Sequence, residues 1–392
     1  MRSLQSMDVQ GKRVLVRVDF NVPTDKQGAI IDDNKMRAAL PTIRYLLEQG
    51  AKVILMSHLG RPDGKVVDRY RLDTVARHLG LLLQQPVRKL DDCIGPEVQA
   101  AVAAMQPGEV IMLENVRFHP EEEDNDPEFA AQLASLGDIY VNDAFGTAHR
   151  AHASTAGVAR YLPCAAGLLM ERELSMLRRV LENPEKPRVA IVGGAKVSDK
   201  LALLENLLSR TDVIIIGGGM ANTFLRAQGH GVGDSLCEEG LVDFAARILQ
   251  EAEAAGVRIL LPVDVVIADR MAADAESRVV AVGEVPAGWM ILDIGPETVR
   301  VFGEAIRAAR TIIWNGPMGV YEFARFAAGT EGVARAVADS EGVSVVGGGD
   351  SLATIYRLGL ENRITHISTG GGATLEFLEG KVLPGVASCE QS

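Results

Sequence analysis

The amino-acid sequence predicts an α/β protein with two doubly wound parallel sheets, one per domain, joined by a helix and separated by a cleft. Short apolar runs rich in β-branched residues alternate with longer amphipathic patterns along all 392 residues. The apolar runs are continuous, as is typical of parallel strands covered on both faces. At about 150 residues per domain, the length favours two or three domains.

The elements follow from these patterns in chain order. Predicted strands are 14–18, 53–56, 110–113, 139–141, 189–192, 213–216, 259–262, 311–314, 343–346 and 366–368. Predicted helices between them are 36–49, 74–83, 128–135, 200–209, 241–255 and 298–309. A further helix, 170–182, ends at Asn183-Pro184 and marks a domain boundary, with domains 1–169 and 170–379. The acidic run 121–126 lies between two prolines and is predicted to be a solvated loop.

Composition excludes several classes of function. The chain has 40 Lys and Arg against 52 Asp and Glu, a net charge of −12, which argues against nucleic acid as a partner. We expect no membrane span, since no apolar run reaches about 18 residues, and residues 1–10 lack a signal-peptide core. The four cysteines show no C-x-x-C spacing, so we expect neither a disulfide framework nor a zinc site, and a cytoplasmic location.

Glycine is the one residue type in excess, at 40 residues. Clusters follow predicted strands at 193–194, 217–219, 316–319, 347–349 and 370–372. Glycine lets a ligand approach the backbone, and a following helix N-terminus favours phosphate, although close packing of strand and helix is the alternative for any one turn. Neither the P-loop pattern G-x-x-x-x-G-K-[ST] nor the dinucleotide pattern G-x-G-x-x-G occurs. A phosphate site of another design remains.

Charged residues accompany these turns and the strand ends of the first half. Lys196 and Lys200 follow the first glycine pair and suit phosphate, whereas Asp350 suits a helix cap, Mg²⁺, or both. In the first half, Arg61, Arg117 and Arg150 follow strands, so together they predict a basic pocket in an acidic protein. The histidines of the same segments, 58, 149 and 152, are interpreted as hydrogen-bonding partners rather than catalytic bases.

Nine segments in order resemble the phosphoglycerate kinase family over essentially the whole chain. They are RVDFNVP (17–23), SHLGRP (57–62), ENVRF (114–118), DAFGTAHRAHAST (143–155), GGAKVSDK (193–200), GGGMANTF (217–224), WNGPMGVYE (314–322), GGGDSL (347–352) and STGGGA (368–373). The resemblance implies reversible transfer of the acyl phosphate of 1,3-bisphosphoglycerate to Mg-ADP, giving ATP and 3-phosphoglycerate, in glycolysis. It also implies a monomer whose N-terminal domain binds phosphoglycerate and whose C-terminal domain binds nucleotide. The tail, about 380–392, would pack on the N-terminal domain.

The family's functional positions carry over to three groups of residues. Substrate contacts are implied for Asp19, Phe20, Asn21, Lys35, His58, Leu59, Gly60, Arg61, Arg117 and Arg150. Nucleotide contacts are implied for Lys200, Gly218, Gly219, Ile291, Leu292, Pro317, Val320, Glu322, Gly347, Gly348, Gly349, Asp350 and Ser351, with Mg²⁺ on Asp350. Stabilisation of the transferring phosphoryl group is implied for Lys35, Lys196, Gly371 and Gly372.

One position departs from the family. Where the family has an arginine that bridges the transferring group, this chain has Lys35, which keeps the charge but loses the planar fork. Either Lys35 acts as a point charge, or Arg37 reaches in, or turnover is reduced; we favour the first.

Two other functions compete with this interpretation. A non-catalytic phosphate-binding protein would lack the lysines or Asp350, and an NAD-dependent dehydrogenase would carry the missing glycine fingerprint.

Phosphoryl transfer needs positioning of the two substrates rather than a nucleophile or a base. The basic residues of the first half and the glycine turns of the second half must therefore meet, so we expect hinge closure about the helix 170–182.

Overall fold

The computed structural model describes residues 1–391, which form two parallel six-stranded sheets, a small antiparallel sheet and their covering helices. The strands are β1 (Arg13–Arg17), β2 (Lys52–Met56), β3 (Arg88–Lys89), β4 (Val110–Met112), β5 (Ile139–Asn142), β6 (Cys164–Ala166), β7 (Arg188–Val192), β8 (Val213–Ile216), β9 (Arg258–Leu260), β10 (Asp264–Ala268), β11 (Ser277–Ala281), β12 (Met290–Ile294), β13 (Thr311–Asn315), β14 (Val343–Gly347) and β15 (His366–Ile367). The α-helices are α1 (Asn34–Glu48), α2 (Asp73–Leu83), α3 (Pro96–Ala103), α4 (Pro120–Glu123), α5 (Pro127–Ala134), α6 (Leu168–Glu182), α7 (Leu201–Leu207), α8 (Met220–Ala227), α9 (Val242–Ala255), α10 (Pro296–Ala308), α11 (Ala328–Asp339), α12 (Gly349–Arg357), α13 (Gly372–Leu378) and α14 (Pro384–Glu390).

Unit 1 comprises Met1–Ser175 and the chain from Val382 onward. Its parallel sheet has the order β3-β4-β2-β1-β5-β6, and both faces of the sheet are buried by apolar residues. The chain leaves β1 toward β2 on one side and later returns to β5 on the other. Ligands of such sheets bind outside the carboxyl ends of the strands at this switch point.

Unit 2 comprises Met176–Lys381 and repeats the same principle. Its parallel sheet has the order β15-β14-β13-β7-β8-β9, which puts the switch point between β7 and β13. The unit also contains a separate three-stranded antiparallel sheet of order β11-β10-β12. The α/β fold class with two parallel sheets is therefore confirmed. The division within α6 lies six residues beyond the boundary that the helix pattern suggested, because the helix begins in one unit and ends in the other.

Several elements were missed from the sequence. The antiparallel strands were not predicted: β11 is mostly exposed, whereas β10 and β12 carry short apolar runs that the sequence analysis did not select. The acidic run is wrong as a solvated loop: 120–123 form α4, and Glu122 is fully buried with Oε1 accepting from Ser154 N (2.9 Å) and Oγ (2.8 Å). Burial raises the pKa of the Glu122 carboxyl.

The expectation about cysteines is also wrong in one respect. Cys164 of β6 is disulfide-bonded to Cys389 of α14, with Cα atoms 5.2 Å apart and a sequence separation of 225. Spacing rules could not reveal this pair, because it forms only when the chain from Val382 joins unit 1. The last residue of the predicted tail, 392, lies outside the described residues. No helix within residues 1–391 is long and apolar enough to cross a membrane.

Candidate active site

The carboxyl ends of the unit 1 strands are organised by a buried arginine that the sequence analysis missed. Arg17, at the end of β1, is fully buried and its Nε donates to Ser154 Oγ at 2.7 Å. A second nitrogen, Nη2, lies 3.1 Å from His58 Nδ1. The only signal for Arg17 was a charged residue at the end of an otherwise apolar run.

His58 is a neutral hydrogen-bond donor in this setting. An arginine can only donate, so Nδ1 of His58 must accept and the ring proton lies on Nε2. Burial, with the charges of Arg17 and Arg117, lowers the pKa of His58 well below its usual value. Burial next to arginines likewise lowers the pKa of His152 to about 4. Both histidines therefore add hydrogen-bonding groups to this pocket without adding charge.

Arginine charge is concentrated beside these rings. Arg117 is buried, and its Nη1 donates to the Gly60 carbonyl at 3.1 Å. Burial, followed by repulsion from Arg17 and Arg150, lowers the pKa of Arg117 to about 10, although Glu123 lies 3.4 Å from its Nε. An anion bound beside neighbouring positive charges stabilises their charged forms. Two of the three arginines predicted to form a basic pocket, Arg117 and Arg150, are therefore near enough to interact electrostatically.

The loop after β1 joins this cluster to Lys35. Asn21 Oδ1 accepts from Gly60 N at 2.9 Å, and Asp19 Oδ1 accepts from Asn21 N at 3.2 Å. The other oxygen of Asp19 lies 2.9 Å from Lys35 Nζ, at the first turn of α1. Arg37, in contrast, is exposed and pairs with Asp33 at 2.8 Å. Of the two basic side chains, Lys35 is therefore the one held by the residues of the proposed substrate loop.

The remaining predicted substrate residues differ in what they expose. The side chains of Phe20 and Leu59 are buried in the hydrophobic core, so only their backbones could meet a ligand. Phe20 N donates to Ser57 Oγ at 3.0 Å, which fixes the loop. Arg61 is exposed.

Unit 2 has a cavity of about 300 Å³ at the carboxyl ends of its strands. Its wall is largely apolar, with Leu236, Met271 and Met290 among the contributing side chains, as suits an aromatic base. The predicted nucleotide residues that line it are Gly218, Gly219, Ile291, Leu292, Pro317, Val320, Glu322 and Asp350. Lys200, Gly347, Gly348, Gly349 and Ser351 belong to the turns around β7 and β14 rather than to this wall.

The glycine clusters separate into two kinds. At Gly316, with φ of +101°, a Cβ would lie 2.2 Å from the Gly193 carbonyl oxygen, so close packing of turns requires glycine there. At Gly349 and Gly371, a Cβ would meet no atom within 4 Å. Close packing therefore explains glycine at position 316 but not at positions 349 and 371, where bare backbone lies at the starts of α12 and α13.

Lysine and asparagine side chains complete the turn after β7. Lys200 Nζ donates to Asn315 Oδ1, and burial lowers the pKa of Lys200. Asn315 ends β13 and its amide lies beside Gly348, so it belongs with the phosphate-binding candidates although the sequence analysis did not select it. Its signal was a polar residue at the end of a buried strand. Lys196 is exposed.

Comparison with known proteins gives the family context. The sequence profile of the phosphoglycerate kinase family matches residues 4–381. The chain is 61% identical over 386 residues to phosphoglycerate kinase of Moorella thermoacetica, and 59% identical over 385 residues to that of Pelotomaculum thermopropionicum, covering 98% of each chain in both cases. Phosphoglycerate kinase of Coxiella burnetii superposes with a TM-score of 0.91 at 45% identity, covering 99% of this chain and 98% of the other. The enzyme of Pyrococcus horikoshii gives 0.85 at 37% identity, covering 100% and 98%.

Proposed function

Since this chain belongs to the phosphoglycerate kinase family, we propose how its residues divide the reaction between the two units. The chain is a phosphotransferase with a carboxyl group as acceptor, and it acts on ADP and ATP. We assign phosphoglycerate binding to unit 1 and nucleotide binding to unit 2.

The observation that carries the first assignment is the cationic cluster of unit 1. Burial and the positive charges of Arg17 and Arg150 lower the pKa of Arg117, and the neutral rings of His58 and His152 adjoin this cluster. A phosphorylated acid relieves this repulsion and accepts forked hydrogen bonds. We further assign Asp19, Asn21 and Arg61 to this site.

The second assignment rests on the apolar cavity and the open glycine turns. The adenosine moiety fits the wall formed by Leu292, Pro317 and Val320, and the phosphates would extend toward the start of α12 and Lys200. The residues present also fit Mg²⁺, because Asp350 offers an exposed carboxylate on the cavity wall. When bound, the ion neutralises charge on the nucleotide phosphates.

The chemistry requires no general base from the chain. The carboxylate of 3-phosphoglycerate and the phosphate of ADP are both ionised acceptors at neutral pH, so transfer depends on positioning and charge stabilisation. We assign the latter to Lys196, the amides of Gly371 and Gly372, and Lys35 as a point charge. Because the two substrates are held by different units, we propose that the units close on each other about α6, which also excludes water.

We also propose a monomer without nucleic-acid partners, in the cytoplasm as befits a glycolytic enzyme; the Cys164–Cys389 disulfide is unusual for that compartment. The net charge of −12 disfavours nucleic acid. Gel filtration with light scattering tests the monomer, and a mass near twice 41.9 kDa would contradict it.

A coupled assay of 3-phosphoglycerate-dependent ATP consumption in Mg²⁺ tests the assignments. Lys196→Ala is expected to lower kcat at least a hundredfold with little change in the KM for either substrate, because Lys196 is assigned to the phosphoryl group in transfer. Lys26→Ala, which changes an exposed lysine of unit 1, is the control. An unchanged kcat in Lys196→Ala would remove that residue from the mechanism. Small-angle scattering with both substrates tests closure, and an unchanged radius of gyration would contradict it.

A further inference from the structure

A tyrosine hydroxyl is bonded to the carboxylate assigned to Mg²⁺. Tyr321 Oη donates to Asp350 Oδ1 at 2.9 Å. The two residues come from different segments: Tyr321 follows β13 after a glycine-rich turn, and Asp350 lies in the first turn of α12. The hydrogen bond therefore links two segments of the site that are distant in sequence.

A second hydrogen bond joins the same two segments one residue away. Gly316 N donates to the buried Ser351 Oγ at 2.9 Å. The segment 316–322 is itself anchored at the cavity, because Val320 N donates to the Leu292 carbonyl at 2.8 Å. Val320 and Glu322, the neighbours of Tyr321 in sequence, line that cavity. Thus one loop lines the cavity and is also hydrogen-bonded to the start of α12.

The hydroxyl solves a positioning problem for Asp350. An exposed aspartate at a helix start samples several rotamers, and a metal ion that binds it must fix one of them. A donated hydrogen bond to Oδ1 fixes the carboxylate before the ion arrives and leaves Oδ2 to coordinate.

We propose that Tyr321 is a positioning residue that orients the Asp350 carboxylate for the magnesium ion of the bound nucleotide. The inference rests on the proposed role of Asp350. It adds that the loop 316–322 couples the nucleoside end of the site to its metal end, because the same seven residues reach both.

Calorimetric titration with ADP, in excess Mg²⁺ and in EDTA, tests the proposal without turnover. In Tyr321→Phe, the gain in ADP affinity caused by Mg²⁺ is expected to fall roughly three- to tenfold, the usual worth of one hydrogen bond, whereas ADP affinity in EDTA stays unchanged. Tyr161→Phe is the matched control; it removes a hydroxyl of unit 1 that donates to the Pro127 carbonyl at 3.0 Å. It should change neither affinity.

Three outcomes overturn the proposal: an unchanged magnesium effect in Tyr321→Phe, a larger one, or an equal loss of affinity with and without Mg²⁺. A larger effect would mean that the hydroxyl holds the carboxylate away from the ion. Asp350→Asn, measured in parallel, separates this failure from failure of the proposed function. If Asp350→Asn also keeps the full magnesium effect, Asp350 is not the metal ligand; if only Tyr321→Phe keeps it, the positioning role alone is wrong.

Discussion

Arg17 Nη2 lies 3.1 Å from Nδ1 of His58, and both side chains are buried at the carboxyl ends of neighbouring strands. The contact fixes the tautomer of the imidazole, because a guanidinium cannot accept a hydrogen bond. It also makes protonation of the ring unfavourable, since a second positive charge would face Arg17 without solvent between them. His58 therefore presents a neutral Nε2–H to any ligand of the arginine cluster.

The contact with Arg17 predicts that His58 stays neutral at pH 6.5, where an ordinary histidine is half protonated. At pH 6.5 a nitrogen-15 NMR spectrum should show the neutral ring with the proton on Nε2, because the pKa of His58 is lowered. His58→Gln, whose amide can still donate, should keep the KM for 3-phosphoglycerate within about threefold, whereas His58→Ala should raise it about tenfold, the worth of one hydrogen bond. The KM for ATP serves as the internal control. A charged ring at pH 6.5 would contradict the assignment.

At Lys35 we expect loss of the positive charge to lower kcat/KM more than a change in the shape of the side chain. Lys35→Ala should lower kcat/KM at least tenfold, because the charge that Asp19 holds at 2.9 Å is lost. Lys35→Arg should keep or raise kcat/KM, since the fork adds a second hydrogen bond. Arg37→Lys is the control, because Arg37 is exposed and paired with Asp33. A loss in Arg37→Lys equal to that in Lys35→Ala would return the role to Arg37.

Asp143 predicts a fall of stability with rising pH. Its carboxylate accepts from Leu169 N (3.0 Å) and Met170 N (3.2 Å) at the start of α6, and burial raises its pKa to about 7. The raised value means that the folded protein binds the proton more tightly than the unfolded chain, with its pKa near 3.8. This contribution is fully present below about pH 4 and is lost as the pH rises to about 7, a change of a few kcal/mol.

Urea unfolding between pH 4 and 8 measures this change. Asp143→Asn retains an oxygen for the two amides and cannot ionise, so its free energy of unfolding relative to the parent should increase over this pH range. Asp138→Asn, an exposed partner of Arg13, is the control for removal of a carboxylate; because the pKa of Asp138 is lowered, its contribution changes mainly below about pH 4, and the effect of the substitution should be nearly constant over this range. A parallel pH dependence in Asp143→Asn and the parent would show that Asp143 is ionised throughout.

The cysteine pair predicts a thiol count. Protein unfolded without reductant should react at Cys93 and Cys237 only, whereas Cys389→Ser should expose three thiols because Cys164 is released. The variant should also be less stable by about 2–4 kcal/mol, because a long loop is no longer closed. Four reactive thiols in the parent would mean that the pair is reduced, and mass spectrometry under non-reducing conditions provides an independent check.

The sequence was most informative where chemistry and local pattern coincide. Val213–Ile216 is a fully buried strand with an unbroken apolar run, and the glycine cluster 217–219 that follows it is visible in the sequence without knowledge of any other segment. The residues that the sequence analysis missed depend on contacts between distant segments. Arg17, Glu122 and Ser154 form one buried polar cluster from three segments, and their mutual hydrogen bonds and charges offset part of the cost of burying each. No single segment therefore shows that its charge points inward.

A pair of glycines predicts how the two kinds of turn differ. Gly349→Ala adds a methyl group that meets no atom within 4 Å, and the position has ordinary backbone angles, so folding should be unaffected. ADP binding should weaken about tenfold or more, because the methyl group lies where bare backbone would meet phosphate. Gly316→Ala should instead lower the thermal midpoint by several degrees, since its Cβ would lie 2.2 Å from the Gly193 carbonyl oxygen in a left-handed region of backbone space. Thermal unfolding and ADP titration of both variants decide the matter. If Gly349→Ala folds normally and binds ADP as the parent does, the open backbone at the start of α12 is not the phosphate site.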